Sequence, residues 1–249
     1  MKKIFIILFL SLNLAACSTT QRHIKDHEKI IESYNKVMIF PSEVIMNMQG
    51  IGGKLERKHN YESYLEDLVA DESRIALEKV GFNVQFASKR FMHENKIARY
   101  LPTLRDEYAD VQKSLYGAGL PISKEKAIIS GRILPNIRNF SEHLKADAYV
   151  MIDYEGILQT TGAQMMQFAL AVVLPGGGGQ SKPDEAYTMI LSLIDARSGE
   201  VVWANAARAE RGSWLGFNKE KAERKQLKNL FYTILYPVKE IKNPKKKKK

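Results

Sequence analysis

The sequence predicts an α/β (mixed α+β) domain, with helices packed on a mixed sheet of about five strands. Three observations carry that reading. Apolar residues recur at three- and four-residue spacing over 60–80 and again over 217–236, which is the helical period. Shorter stretches rich in Val, Ile, Tyr and Phe alternate or run continuously apolar, which is the strand signature. The two kinds of segment are interleaved along the chain, so the helices must lie against a sheet rather than form a bundle of their own.

The first strand is "KVMIFPSEVIMNM", 36–48, bent or held at an edge by Pro41 and ended by "GIGG" at 50–53. That glycine run lacks the lysine–serine/threonine pair and the helix opening of a phosphate loop, so it reads as a turn. Asn60 stands where it can cap a helix reaching Val80, with Leu65, Leu68, Val69 and Ala76 among its apolar positions and Gly81 to stop it. Phe82, Val84 and Phe86 alternate in "FNVQFAS" as a second strand. Residues 90–116 read as helix broken at Pro102, and Ser123–Leu134 and Asn136–Lys145 as short helices on either side of Pro135. "ADAYVMIDYEGIL", 146–158, is apolar on both faces, which places it centrally in the sheet. "AYTMILSLIDARSGEVVWANAAR", 186–208, is two strands around the turn Ala196–Gly199. Phe217, Leu227, Leu230, Phe231, Ile234 and Leu235 are the apolar positions of the last helix.

The amino terminus is built differently. Lys2 and Lys3 precede an apolar run from Ile4 to Leu14, and Ala15 and Ala16 precede Cys17, the single cysteine of the chain. Positive start, apolar core and small residues make an export signal, 1–16, too short for the roughly 20 residues of a bilayer-spanning helix. One thiol cannot make an intrachain disulfide. Leu14-Ala15-Ala16-Cys17 resembles a bacterial lipobox, which implies a diacylglycerol and fatty-acyl (palmitate-type) anchor on Cys17 after cleavage. Ser18 resembles the sorting pattern of the outer membrane, with the inner membrane as the alternative. Polar residues 17–35 then read as a lipidated tether, 36–236 as one periplasmic domain, and 237–249 as a disordered lysine-rich tail.

Net charge is +10, but its distribution excludes a nucleic-acid reading. Lys219 to Lys249 holds twelve Lys or Arg against three Glu, whereas Cys17 to Asn218 balances to −1. The "PKKKKK" end is a solvated tail or, near an anionic bilayer, an attractive one.

Two segments carry a family resemblance. "LKADAYVMIDYEG" resembles the alanine–aspartate strand, and "LSLIDARSGEVVWA" the Ser/Thr-Gly hairpin, of envelope proteins with a TolB amino-terminal-like domain, a group whose members also begin with a lipobox. Curli secretion-channel lipoproteins and lipoprotein activators of penicillin-binding proteins belong to that broader group. The resemblance implies a periplasmic, non-enzymatic subunit of a secretion, export or envelope-assembly complex, with envelope protein partners and homo-oligomerisation. Its alternative is a glycan- or peptidoglycan-associated lipoprotein using Trp214 and the lysine tail. The chain departs from the pattern at 159–185, where an apolar run, Met165 to Leu174, is followed by four glycines. Met165, Met166, Phe168, Leu170 and Val172, with Trp214 in "RGSWLGF", are the interface candidates.

No catalytic constellation or cofactor motif is legible. His23 and His27 stand four apart but lack a third ligand. Asp153 and Glu155 share a strand face and read as a solvent- or interface-facing pair, although an enzyme using them would place both in a concave pocket. Asp147 and Asp195 read as acceptors for turn amides, and Trp203 as core.

Overall fold

The computed structural model describes residues 20–50, 53–117, 127–159, 185–211 and 219–243. Among them the chain is mixed α/β, with eight strands in one mixed sheet and six α-helices. The order is β1 (Arg22–His23), α1 (His27–Ser33), β2 (Lys36–Ile39), β3 (Glu43–Gln49), β4 (Leu55–Arg57), α2 (His59–Val80) and β5 (Asn83–Phe86). Then come α3 (Lys89–Glu94), α4 (Leu101–Tyr116), α5 (Arg138–Ser141), β6 (Ala148–Gln159), β7 (Glu185–Asp195), β8 (Val201–Arg211) and α6 (Lys219–Lys242).

The main path of the sheet runs β1-β8-β7-β6-β2-β5. β6 is central, as its two apolar faces predict: it pairs antiparallel with β7 and parallel with β2 and β3. The first predicted strand is two strands, because the chain breaks step at Pro41-Ser42 and rejoins β6 further along. That break, the three-residue β4 and the two-residue β1 account for eight strands where about five are expected.

Alternation along the strands sends side chains to two cores. Val37, Ile39, Val150, Leu191 and Trp203 face α1, α2 and α6 on one side. Phe40, Tyr149, Met151, Ile194 and Val201 face α4, α5 and the 3-10 turn before it on the other. Trp203 is fully buried, as expected. Gly81 ends α2 in the left-handed region at φ 117°. Gly199, at φ 75° in the β7–β8 turn, lies against the Leu134 carbonyl, where an added Cβ would sit at 2.8 Å.

Four expectations are corrected. The tether over 17–35 is, from Thr20 onward, part of the domain: Ile31 and Tyr34 are buried, and β1 pairs with β8 through Arg22↔Ala204 and His23↔Trp203. Pro102 opens α4 instead of breaking a helix, because its missing N–H falls in the first turn, where no intrahelical acceptor exists. Ala127–Leu134 is edge backbone rather than helix: Ile128 bridges His23 and Ile133 bridges Glu200. The tail does not begin at 237, since α6 continues through Pro237 to Lys242 and buries Val238 completely.

Candidate functional site

The candidate lipidation residue Cys17 and the interface candidates Met165, Met166, Phe168, Leu170, Val172 and Trp214 lie outside the described residues. The structure does fix the strands from which their segments leave. β6 and β7 pair up to Ile157↔Ala186, and β7 and β8 up to Glu185↔Arg211. Both ends of the 159–185 connection and the exit toward Trp214 therefore stand together at one end of the sheet. Thr20 joins the same strand β8, its hydroxyl donating to the Ala206 carbonyl at 2.6 Å and also bonding Asn205.

Arg22 pins this entry. It is 2% exposed, its Nε donates to the Leu115 carbonyl at 3.0 Å, one Nη donates to the Thr20 carbonyl at 3.2 Å, and its guanidinium stacks 4.8 Å from the Tyr116 ring centroid. Beside β1 the backbone of 128–133 runs along the edge. Ile129 N–H donates to the His23 carbonyl at 2.8 Å and Val201 N–H to the Arg132 carbonyl at 2.8 Å. Ile128 and Ile133 are 60% and 49% exposed there.

Asp153 and Glu155 do share a face, but their environments differ. A recess of about 250 Å³ is lined by Glu43, Gln112, Asp153, Glu155, Thr188 and Ile190. Burial raises the Asp153 carboxyl to about 7, Glu43 adds to the rise, and Arg105 opposes it. Glu155 is exposed. Both carboxylates line this recess, as the enzyme alternative expects, and the solvent- or interface-facing reading holds for the exposed Glu155 but fails for the partly buried Asp153. A carboxyl that titrates near neutrality can exchange a proton, but no cluster of three potential metal ligands accompanies it among the described residues.

The other sequence candidates have structural work. Asp147 Oδ2 accepts the Asn35 and Lys36 amides at 2.8 Å each. Asp195 Oδ1 accepts the Arg197 and Ser198 amides at 3.1 and 2.7 Å, and its Oδ2 accepts the Tyr34 hydroxyl at 2.9 Å. The His23 and His27 rings stack with centroids 3.9 Å apart, a geometry in which burial and the neighbouring ring lower the His27 pKa.

Sequence reasoning missed three buried carboxylates, Glu62, Glu72 and Glu223. Glu62 accepts the Met46 amide at 3.0 Å and Arg57 Nε at 2.7 Å, tying α2 to the β3–β4 hairpin. Glu72 meets Arg224 at 3.3 Å across the α2–α6 contact. Glu223 accepts the Tyr61 hydroxyl, and burial raises its pKa to about 7. One signal was available: Glu62 and Glu223 sit three and four residues before Leu65 and Leu227, on the apolar faces of their helices.

No described helix is long and apolar enough to cross a membrane. No protein-family model matches the sequence, and no curated protein matches it. In structure the chain is similar to a chain of the PelC dodecamer from Paraburkholderia phytofirmans, at 12% identity and TM-score 0.39, covering 83% of this chain and 88% of that one. It is similar to the lipoprotein GNA1162 from Neisseria meningitidis at 10% identity and TM-score 0.36, covering 80% and 96%. It is also similar to the LpoB C-terminal domain from Salmonella enterica at 10% identity and TM-score 0.25, covering 75% and 100%. At these identities and scores the likeness carries no argument about function, and the chain's own residues carry the reading that follows.

Proposed function

We propose that the chain is a lipid-anchored, non-enzymatic subunit of a bacterial envelope complex, held at the periplasmic face of the outer membrane by acyl chains on Cys17. It acts by docking a partner or further copies of itself through Met165, Met166, Phe168, Leu170, Val172 and Trp214. The observation that carries this reading is convergence. Both ends of the apolar connection and the exit toward Trp214 attach at one end of the sheet, and Thr20, three residues after Cys17, is bonded to Ala206 midway along the adjoining strand β8. Two segments read independently as partner-seeking, the apolar connection and the stretch that holds Trp214, thus leave the domain from one end, and the chain toward Cys17 leaves from the β8 edge.

The polar groups of the body support a non-enzymatic role. Asp147 and Asp195 are engaged by backbone amides, and the buried Glu62 and Glu72 by an amide or arginines, as buried charges must be to avoid a large desolvation cost. Replacing Cys17 by serine tests the anchor. The expected outcome is a shift of the chain from the membrane to the soluble fraction of the envelope; unchanged fractionation would remove the basis of the proposal. Substituting Phe168 and Leu170 by serine together is expected to leave fractionation unchanged while reducing the mass of the complex recovered in mild detergent.

A further inference from the structure

We infer that the β1–β8 edge of the domain rests directly on the phospholipid surface, with Ile128 and Ile133 entering the headgroup layer and Arg132 meeting lipid phosphate. This rests on the reading of Cys17 as acylated and adds where the bilayer touches the body.

The first ground is chain length. Thr20 is already part of the domain, locked to β8 by its own hydrogen bonds and by the buried Arg22 two residues later. Only Ser18 and Thr19 separate Thr20 from Cys17, and at about 3.5 Å per residue the reach from Cys17 to Thr20 is at most about 11 Å. A tether of that length cannot let the body stand off from the membrane. The surface around β1 must lie against it.

The second ground is what that surface carries. β1 is followed along the β8 edge by the strip 128–133, where Ile128, Ser130, Gly131, Arg132 and Ile133 are all exposed. Two exposed isoleucines on a sheet edge are an aggregation liability in water, where edges are ordinarily blunted by charge. At a bilayer the same residues are an asset: their side chains can enter the headgroup region while the arginine between them pairs with phosphate. Lys25, also exposed, adds a second cation just beyond β1. The carboxylates here are Glu200, half-buried and accepting the Gly131 amide at 3.4 Å, and the exposed Asp26 beside Lys25.

Cys17 is the single native cysteine, so acylation leaves no free thiol and one introduced cysteine can be labelled cleanly. Full-length acylated chain, its acylation checked by mass, is reconstituted into phosphatidylethanolamine–phosphatidylglycerol vesicles. A fluorophore is placed on Ser130→Cys at this edge or on Gln85→Cys of β5, the opposite edge. A lipid-borne nitroxide should quench the probe at 130 several-fold more strongly than the probe at 85. Adding Ile128→Ser and Ile133→Ser should remove most of that difference without unfolding the domain, since both side chains are largely in solvent. Equal quenching at the two positions, or stronger quenching at 85, overturns the inference while leaving the anchor intact. A probe at 130 that is unquenched and shielded, in protein of doubled mass, assigns the edge to a second copy and overturns it too. Failure of acylation at Cys17 sinks the proposed function itself, and is read separately from the mass.

Discussion

Arg22 is 2% exposed, an uncommon position for a guanidinium, and nothing in "STTQRHIKD" marks it out from its polar neighbours. Its burial becomes intelligible only when Leu115 and Tyr116, more than ninety positions away, are brought beneath it. Replacing it with alanine strands the Leu115 carbonyl and releases β1, and is expected to cost about 2–3 kcal/mol. Urea unfolding measures the loss, and limited proteolysis should show new cleavage before His27. Asp153 and Glu223 make a second residue-scale prediction. Burial holds both carboxyls at about 7, while the unfolded chain releases those protons near pH 4. Between these limits the folded state binds more protons, so their contribution to stability falls as pH rises from about 4 to about 7. Asp153→Asn and Glu223→Gln should each flatten that decline, by about 1.4 kcal/mol for every pH unit over which the folded chain alone keeps the proton. Unfolding curves at pH 5 and pH 8 measure the effect, and variants with the wild-type slope would refute it. The lowered carboxyls Glu62 and Asp195 act at the acid end instead: their contribution is lost as pH falls through their folded-state values.

The elements divide by how much of their sequence pattern is their own. α2 and the core of α6 are legible because long apolar stripes at helical spacing have no other use, and β6 because apolar residues on both faces require a neighbour on each side. β1 is two residues long, and no periodicity exists at that length. Ala127–Leu134, with three isoleucines, Ser130 and Gly131, is poor in helix formers and becomes an edge because His23, Gly199 and Val201 offer it backbone partners. α6 outruns its predicted end for a similar reason. Lys242 Nζ reaches the Glu32 carbonyl at 3.1 Å and the Tyr34 carbonyl, and the Asn243 amide reaches the Val80 carbonyl at 3.1 Å. These bonds and the buried Val238 hold the last turns despite Pro237. Removing 244–249 should therefore leave the urea midpoint unchanged, whereas removing 237–249 should lower stability by about 2–4 kcal/mol. Equal effects of the two truncations would contradict this account of α6.

Across the whole molecule, the α/β class followed from the alternation of periods and the central place of β6 from its two apolar faces, while the position of the body relative to its anchor did not. The sequence carries a segment that resembles a lipobox and then a polar stretch, and polar stretches read as tethers. Tertiary contacts turned that stretch into β1, α1 and the contact surface of Tyr34. The candidate site was legible in the same partial way: Cys17 and the apolar run stand out by composition, but that both ends of the 159–185 connection meet the end of β8 needs strand register, which composition does not contain. The central claim is that a chemically inert body is held at a bilayer by fatty acids on one cysteine. The intact mass of the mature chain, extracted from cells in detergent, tests it most directly. A polypeptide beginning at Cys17 and heavier by a diacylglycerol with or without a further acyl chain is the expected result. A mass equal to the unmodified chain, or a first residue other than Cys17, would contradict it.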